Sequence, residues 1–347
     1  MSTIDDVARS AGVSRATVSR FLNGYAVRAS REIEQAITET GFRPNLTARS
    51  LKSGRTRSIG VVVPDISNPF FAHAVKGIEA NSRDDEYNIF LCNTDESAAR
   101  QADVLDNLVG RVDALILAPA TESASVPSAL VRMGVPVVLL DREFADPSLY
   151  DSVLVDNEGG AGDAARYLAQ LGHTRIGVIS GPLSATPGRM RHEGFLQALA
   201  AEGLTAADQY VRIGDFRELS GYLAAKSLLS LPEPPTALFA ANNLMAAGAL
   251  KALREAQVRI PGDVSFVSFD DLELGELLVP RLTTVSRPTV EQGALAASLL
   301  AERLRGDAPA TPRRCVMETR LSVRDSCCPP PMSVQKGGSF VASLDRG

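Results

Sequence analysis

No run in this sequence approaches the ~18 consecutive apolar residues that a membrane-spanning helix needs. Met1–Asp6 carries neither the basic nor the apolar segment of a secretory signal. No membrane partner is expected, and the chain is read as cytoplasmic. Cysteine is scarce. Cys92, Cys315, Cys327 and Cys328 have no metal-ligand spacing and read as unpaired thiols rather than a disulfide frame or a zinc site. The three histidines, His73, His173 and His192, are scattered, and no nucleophile–base set is evident. No G-x-G-x-x-G and no Walker sequence follows an apolar run. No catalytic residue, metal or cofactor is therefore assigned, and an enzyme is not expected.

What is present is an ordinary globular composition, 45% hydrophobic and 22% charged over 347 residues, long enough for two or three domains. The net charge of −5 conceals an asymmetry. Residues 1–57 hold ten basic and five acidic side chains, a surplus of +5. The remainder holds 26 basic and 36 acidic, a deficit of −10. A small basic module on an acidic body suits a head that binds a polyanion and a body that does not.

The head reads as three short helices. Thr3, with Asp6 three residues on, starts the first, and Ile4, Val7, Ala8 and Ala11 follow at helical spacing. Gly12 breaks it, and Ser14 is the next N-cap. Arg15–Leu22 forms the second helix, with Val18, Phe21 and Leu22 turned inward. Ser30–Thr40 forms the third, ended by Gly41. Two short helices joined by a glycine turn, then a third, match a helix-turn-helix whose second helix enters the major groove of duplex DNA. Its outward residues are Arg15, Ala16, Ser19 and Arg20. Arginine bonds a guanine edge in bidentate fashion, and an alanine methyl touches thymine. Ser14, Thr17, Ser19 and Asn23 are short polar groups suited to phosphate oxygens, and Thr3 is counted with them. On spacing alone, a three-helix unit that binds protein and carries its arginines as a solvated face stays open. Residues 45–57 read as a linker with one short helical stretch near 46–52. Leu51 is either a buried linker leucine or an apolar wedge for the minor groove.

Thr3–Ala8, Ala11-Gly12-Val13-Ser14, Thr17-Val18-Ser19-Arg20, Asn23-Gly24, Gly41-Phe42-Arg43-Pro44-Asn45 and Ala48-Arg49-Ser50-Leu51 together resemble the headpiece and hinge of the lac-repressor/galactose-repressor family of bacterial regulators. The resemblance implies that Arg15, Ala16 and Arg20 sit at base-reading positions. It places Asn45, Ala48 and Leu51 on the hinge helix, with Leu51 as the intercalating lever. The loop between Asn23 and Ile33 is shorter than is usual in that family. Arg28-Ala29-Ser30-Arg31 replaces its acidic start of the third helix.

From residue 58 apolar runs (Ile59–Val63, Ile89–Cys92, Ala114–Leu117, Val135–Leu140) alternate with helical stretches such as Phe70–Ser82 and Glu96–Val109, the sign of a parallel sheet covered on both faces. The pattern recurs. Ser58–Val62 is echoed by Arg175–Ile179, Asp113–Leu117 by Thr236–Ala240, and Val135–Asp141 by Val264–Asp270. Two similar α/β lobes are expected, with a ligand cleft beyond the carboxyl ends of their strands. Residues just past the strands are then the candidates: Asp65, Asn68, Phe70, Phe71, Asp95, Asp141 and Arg142 in lobe one, and Ser180, the loop to Arg189-Met190-Arg191, Phe216, Asn242-Asn243 and Asp270-Asp271 in lobe two. Of these Asn68, Phe70, Phe71, Asp141, Arg142, Arg191, Phe216, Asn242 and Asp270 are assigned to the effector. Carboxylates and amides bond hydroxyl pairs, and ring faces stack on sugars. Taken singly, each of these residues reads more simply as a cap or a surface charge.

The family resemblance extends to about residue 325 and implies a periplasmic-binding-protein-like pair of lobes with three crossovers. The domains expected are thus an all-α headpiece (1–44), a hinge (45–57), lobe one (about 58–157 and 288–318), lobe two (about 158–287 and 319–325) and a disordered tail (326–347). Asn243 stands where many relatives carry Asp. The tail lacks leucine heptads, so a homodimer on a palindromic operator is expected. The implied function is repression of transcription, tuned by a small effector, a sugar or sugar acid. A transport-type sugar receptor is the alternative, and it leaves the basic head unused.

Overall fold

The computed structural model describes residues 2–22, 25–42, 55–83, 87–122 and 126–331. They divide into two compact units, one of residues 1–57 with 111–113 and one of the rest.

In the first unit, α1 (Ile4–Ser10), α2 (Arg15–Leu22) and α3 (Ser30–Thr40) surround a core of Val7, Ala8, Val18, Ile33 and Ala36. The Thr3 hydroxyl accepts from the Asp6 N–H and the Asp6 carboxylate accepts from the Thr3 N–H at 2.8 Å, a reciprocal cap. The Ser14 hydroxyl accepts the Thr17 N–H at 3.2 Å and opens α2. Gly41 closes α3 at φ +61°, a conformation that costs glycine little.

The second unit contains two six-stranded sheets of the same strand order. In the first, β2 (Asn88–Asn93), β1 (Ser58–Val63), β3 (Ala114–Leu117), β4 (Val137–Leu140), β5 (Asp151–Val155) and β11 (Arg314–Met317) lie side by side, all parallel. In the second, β7 (Val211–Ile213), β6 (Ile176–Ser180), β8 (Ala237–Ala240), β9 (Ser265–Phe269) and β10 (Thr283–Ser286) are parallel, and β12 (Arg320–Ser322) closes the edge antiparallel to β10. Each sheet has its own apolar core. The duplication read from sequence is therefore a duplication of topology.

The chain passes between lobes three times: after β5 into the helix Asn157–Gln170, after β10 into the helix Thr289–Arg305, and between β11 and β12. The helix Thr289–Arg305 packs on the helix Pro69–Ser82 through a glycine contact. A Cβ on Gly293 would lie 1.9 Å from the Ala74 carbonyl oxygen, and one on Gly77 would lie 2.0 Å from that of Val290.

Four sequence expectations need correction. β4 starts at Val137 rather than 135, because Pro136 has no N–H to give the ladder. The helix expected from Glu96 begins at Ala98, after Ser97 caps the Arg100 N–H, and Glu96 itself has φ +56°. The apolar run of β2 predicts a strand covered on both faces. It is an edge strand, with Phe90 50% and Leu91 38% exposed on its opposite faces. The segment from Ser326 was expected to be disordered. Ser326 is instead fully buried, its hydroxyl accepting the Thr283 N–H at 2.8 Å and donating to the Phe266 carbonyl. Buried His173 contacts the Thr236 and Ser265 hydroxyls and the Cys328 carbonyl. The chain stays packed on lobe two through its cysteines because these polar groups are buried and need partners.

Candidate functional site

The first unit presents its candidate residues on α2. Arg15, Ala16 and Arg20 are exposed, Thr17 and Ser19 half-exposed, and Val18 is buried beneath them. Arg15 approaches Asp5 at 3.6 Å, an exposed pair of small energetic weight. Ser14 is exposed while serving as the cap of α2. Thr3 is also engaged locally, since its hydroxyl proton points to the Asp6 carboxylate at 2.7 Å. Asn23, Asn45, Ala48 and Leu51 lie outside the described residues.

The second unit brings all nine cleft candidates to one cavity. Asn68, Phe70, Phe71, Asp141 and Arg142 line it from lobe one, and Arg191, Phe216, Asn242 and Asp270 from lobe two. The space left in it for the centre of a water is about 20 Å³, enough for a water but not for a sugar, so the lobes are closed over this cavity. Polar bridges hold them. Arg189 forks onto Glu122 at 2.8 and 2.9 Å, Arg217 reaches Asp95 at 2.9 Å, and the Asn243 side-chain amide donates to Asn68 Oδ1 at 3.1 Å. Asn243 thus joins the lobes rather than facing the cavity.

Backbone geometry aims the key side chains. Asp141 follows β4 and Asp270 follows β9, the same position in each copy, with φ +65° and +67°. Phe216 has φ +67°. Non-glycine residues adopt this region at a cost, and such sites cluster where side chains must be presented. Asn68 and Asn242 are also N-caps, accepting the Phe70 and Met245 N–H groups at 3.0 and 2.9 Å. The simple reading of these two asparagines as caps holds alongside their place in the cavity wall.

The cavity is densely charged. Arg142 forks onto Glu96, both bonds 2.7 Å. Arg191 donates to Asn157 and to the Ala241 carbonyl, each at 2.7 Å, stands 3.6 Å from Asp270, and lies over the Phe269 ring at 3.6 Å. Burial pushes its guanidinium down to about 10, partly offset by Asp270. Burial alone would raise the Asp141 carboxyl. The guanidiniums of Arg287, Arg191 and Arg142 outweigh it and hold that carboxyl below the ordinary carboxylate range.

Sequence reasoning missed Glu96, Pro187 and Arg287 in this wall. Arg287 occupies its centre. It donates to both Asp270 oxygens, at 2.6 and 3.0 Å, and to Asp141, and it lies over the Phe70 ring at 3.5 Å. Burial would lower its pKa, but the two aspartates raise it above the usual arginine value. It also borders a second, wider chamber of about 460 Å³, which shares Phe70 and Asp270 with the cleft and adds His73, Asn243, Glu273 and Arg324. The signal for Arg287 was present: it lies just past β10, as the other candidates lie past their strands.

Comparison with known proteins bears on both units. Residues 3–45 match the model of bacterial regulatory proteins, lacI family, and residues 165–327 match the periplasmic binding protein-like domain. The ribose operon repressor of Escherichia coli (strain K12) is 38% identical over 312 residues, covering 88% of this chain and 93% of its own length. The chain belongs to the lacI family. Among solved structures, this lacI-family chain is similar to a transcriptional regulator CelR–cellobiose complex. The identity is 33% and the TM-score 0.73, with 94% of this chain and 100% of the other covered. It is also similar to the lac repressor dimer bound to operator and the anti-inducer ONPF, with 26% identity, a TM-score of 0.82, and 94% and 99% covered. These relatives are regulators, and the lac-repressor-like headpiece and two-sheet body are the fold expected from sequence. Among the described residues, no helix is long and apolar enough to cross a membrane.

Proposed function

We propose that this protein is a sequence-specific transcriptional repressor that binds a palindromic operator as a homodimer, and that a sugar or sugar acid in the cleft sets its operator affinity. The observation that carries the cleft reading is the convergence of Asn68, Phe70, Phe71, Asp141, Arg142, Arg191, Phe216, Asn242 and Asp270, from two lobes, on one cavity. A site built across two moving bodies couples ligand to conformation, because the ligand favours whichever arrangement it contacts better.

In this reading Arg15, Ala16 and Arg20 meet base edges, and Ser14, Thr17, Ser19 and Asn23 meet phosphates, with Thr3 in a capping role beside them. Asn45, Ala48 and Leu51 form the hinge. The cleft residues bind and orient and carry out no turnover, and the protein acts in the cytoplasm at the nucleoid. Exposed apolar side chains favour a dimer: Phe90 and Leu91 on the β2 edge, Leu219 and Leu223 on the helix Glu218–Leu229, and Leu277 and Val279, 78% and 98% exposed.

The test is fluorescence anisotropy on a palindromic operator selected from a random duplex pool, measured against scrambled duplex at moderate salt. Specific binding should exceed nonspecific by at least about 10³-fold and should change with a ligand that stabilises the protein. A failure to select any duplex over random sequence, with or without metabolites, would refute the proposal.

A further inference from the structure

The cleft states a demand that its own residues do not meet. Arg142 Nε and Arg191 Nη2 are buried and have no hydrogen-bond partner, and they belong to side chains that line the same cavity. No carboxylate oxygen of Glu96, Asp141 or Asp270 is among the buried atoms without a partner. Each of those acids already holds an arginine: Glu96 holds Arg142, and Asp141 and Asp270 share Arg287. What is missing is acceptor oxygen beside positive charge. A ligand hydroxyl supplies an acceptor but brings a proton that needs an acceptor of its own. A carboxylate or phosphate supplies acceptors alone, and its bonds to guanidinium are the charge-assisted kind.

Arg287 sharpens the choice. A neutral hydroxyl that enters between it and Asp141 or Asp270 accepts from the guanidinium and donates to the carboxylate, but it replaces a direct charge-to-charge bond with two weaker ones. An anionic group replaces the acceptor it displaces. We propose that the ligand of this cleft is an oxyanion, a small polyhydroxylated acid whose carboxylate or phosphate oxygens take the donors of Arg142, Arg191 and Arg287. This deepens the reading of the cleft as the effector site and rests on it.

The experiment uses the full chain and matched probe pairs: D-gluconate with D-glucose, D-galacturonate with D-galactose, and D-ribose 5-phosphate with D-ribose, each at about 10 mM in thermal shift and then in calorimetry. At least one acid should bind roughly 10- to 100-fold more tightly than its neutral parent. The uronate, aldonate and phosphate arms separate carboxylate from phosphate. Arg287→Gln should bring that ratio below about threefold, and Arg142→Gln should do so independently. The wild-type ratio stands even if a variant fails to fold. A neutral parent that binds as well as its acid overturns the proposal, and so does the absence of any stabilisation by the three acids. A neutral sugar that binds and shifts operator affinity sinks the oxyanion and leaves the effector site standing. An acid that binds without touching operator affinity does the reverse.

Discussion

Replacing Arg287 with methionine removes the cation between two buried carboxylates and keeps most of the side chain's volume. The Arg287 side chain is 4% exposed and its partners Asp141 and Asp270 are 4% and 8% exposed, so solvent screening does little to reduce the effect. Breaking a buried pair by removing one partner costs about 3–5 kcal/mol. The loss should fall at pH 7 on the unfolding transition of the two-lobed unit. In the wild type the Asp141 carboxyl is held below its ordinary value. Its contribution is therefore fully present above the unfolded carboxyl value and is lost only as pH falls through the lower folded one. It does not vary between pH 7 and 5. In the variant, burial acts without the largest opposing guanidinium, and the folded value rises. The cost is then present above that raised value and is relieved as protonation proceeds below it. The variant's deficit should shrink as pH falls through that raised value. The chain has no tryptophan, so urea melts followed by far-ultraviolet circular dichroism are the assay, with small-angle scattering to detect lobe opening. A deficit below about 1 kcal/mol at pH 7, with no change in radius of gyration, would refute the argument that Arg287 neutralises a closed cleft.

Gly293→Ala should lower the melting temperature by several degrees, since its Cβ meets the Ala74 carbonyl oxygen and overpacking costs about 1–3 kcal/mol or more. An unchanged melt would mean the two helices do not cross this closely. A chain ending after Asp325 should be less stable than one ending after Pro331, by about 2 kcal/mol. It leaves the Thr283 N–H and the His173 ring without the Ser326 and Cys328 partners they have now, and equal denaturation midpoints would show the contact is idle. Arg15→Ala and Arg20→Ala should each reduce discrimination between operator and mismatched duplex by about 1–3 kcal/mol. Uniform weakening on every duplex would place these arginines on phosphates instead. Leu51→Ala should lower operator affinity while leaving weak, salt-dependent binding intact. Unchanged affinity together with unbent DNA would remove Leu51 from the hinge role.

Much of the cleft was readable because one rule reaches it. In open α/β sheets the side chains beyond the strand ends face the ligand, and the strands announce themselves as apolar runs. Asp141 and Asp270 fall at matching positions of the two copies, so each supported the other. Arg287 escaped for a local reason: β10, Thr283–Ser286, is short, and three of its four residues bear hydroxyls, so it does not stand out as an apolar run and its end is not marked. Glu96 escaped because a positive-φ turn swings it toward Arg142, and nothing in the composition of Asp95-Glu96 signals that. The packing of Ser326–Pro331 was hidden by composition, since proline and serine read as tail. What holds that segment is a buried histidine, His173, 155 positions earlier in the chain.

Arg287 also occupies the chain's second passage between lobes, joining β10 of lobe two to the helix Thr289–Arg305 of lobe one. Its partners come one from each lobe: Asp141 after β4, and Asp270 after β9. A ligand that takes an acceptor from this guanidinium therefore acts on a residue carried by the crossover itself, and on the two carboxylates that close the lobes onto it. Binding free energy at such a point differs between open and closed arrangements by construction, because only the closed one presents both aspartates to one cation. That difference, rather than the tightness of binding, is what shifts a two-state equilibrium. Removing the charge at position 287 should consequently weaken the dependence of operator affinity on ligand more than it weakens ligand binding. Titrating operator affinity against ligand concentration in Arg287→Gln measures the two separately. Coupling that survives intact alongside a weakened ligand affinity would locate the transmission elsewhere in the lobes.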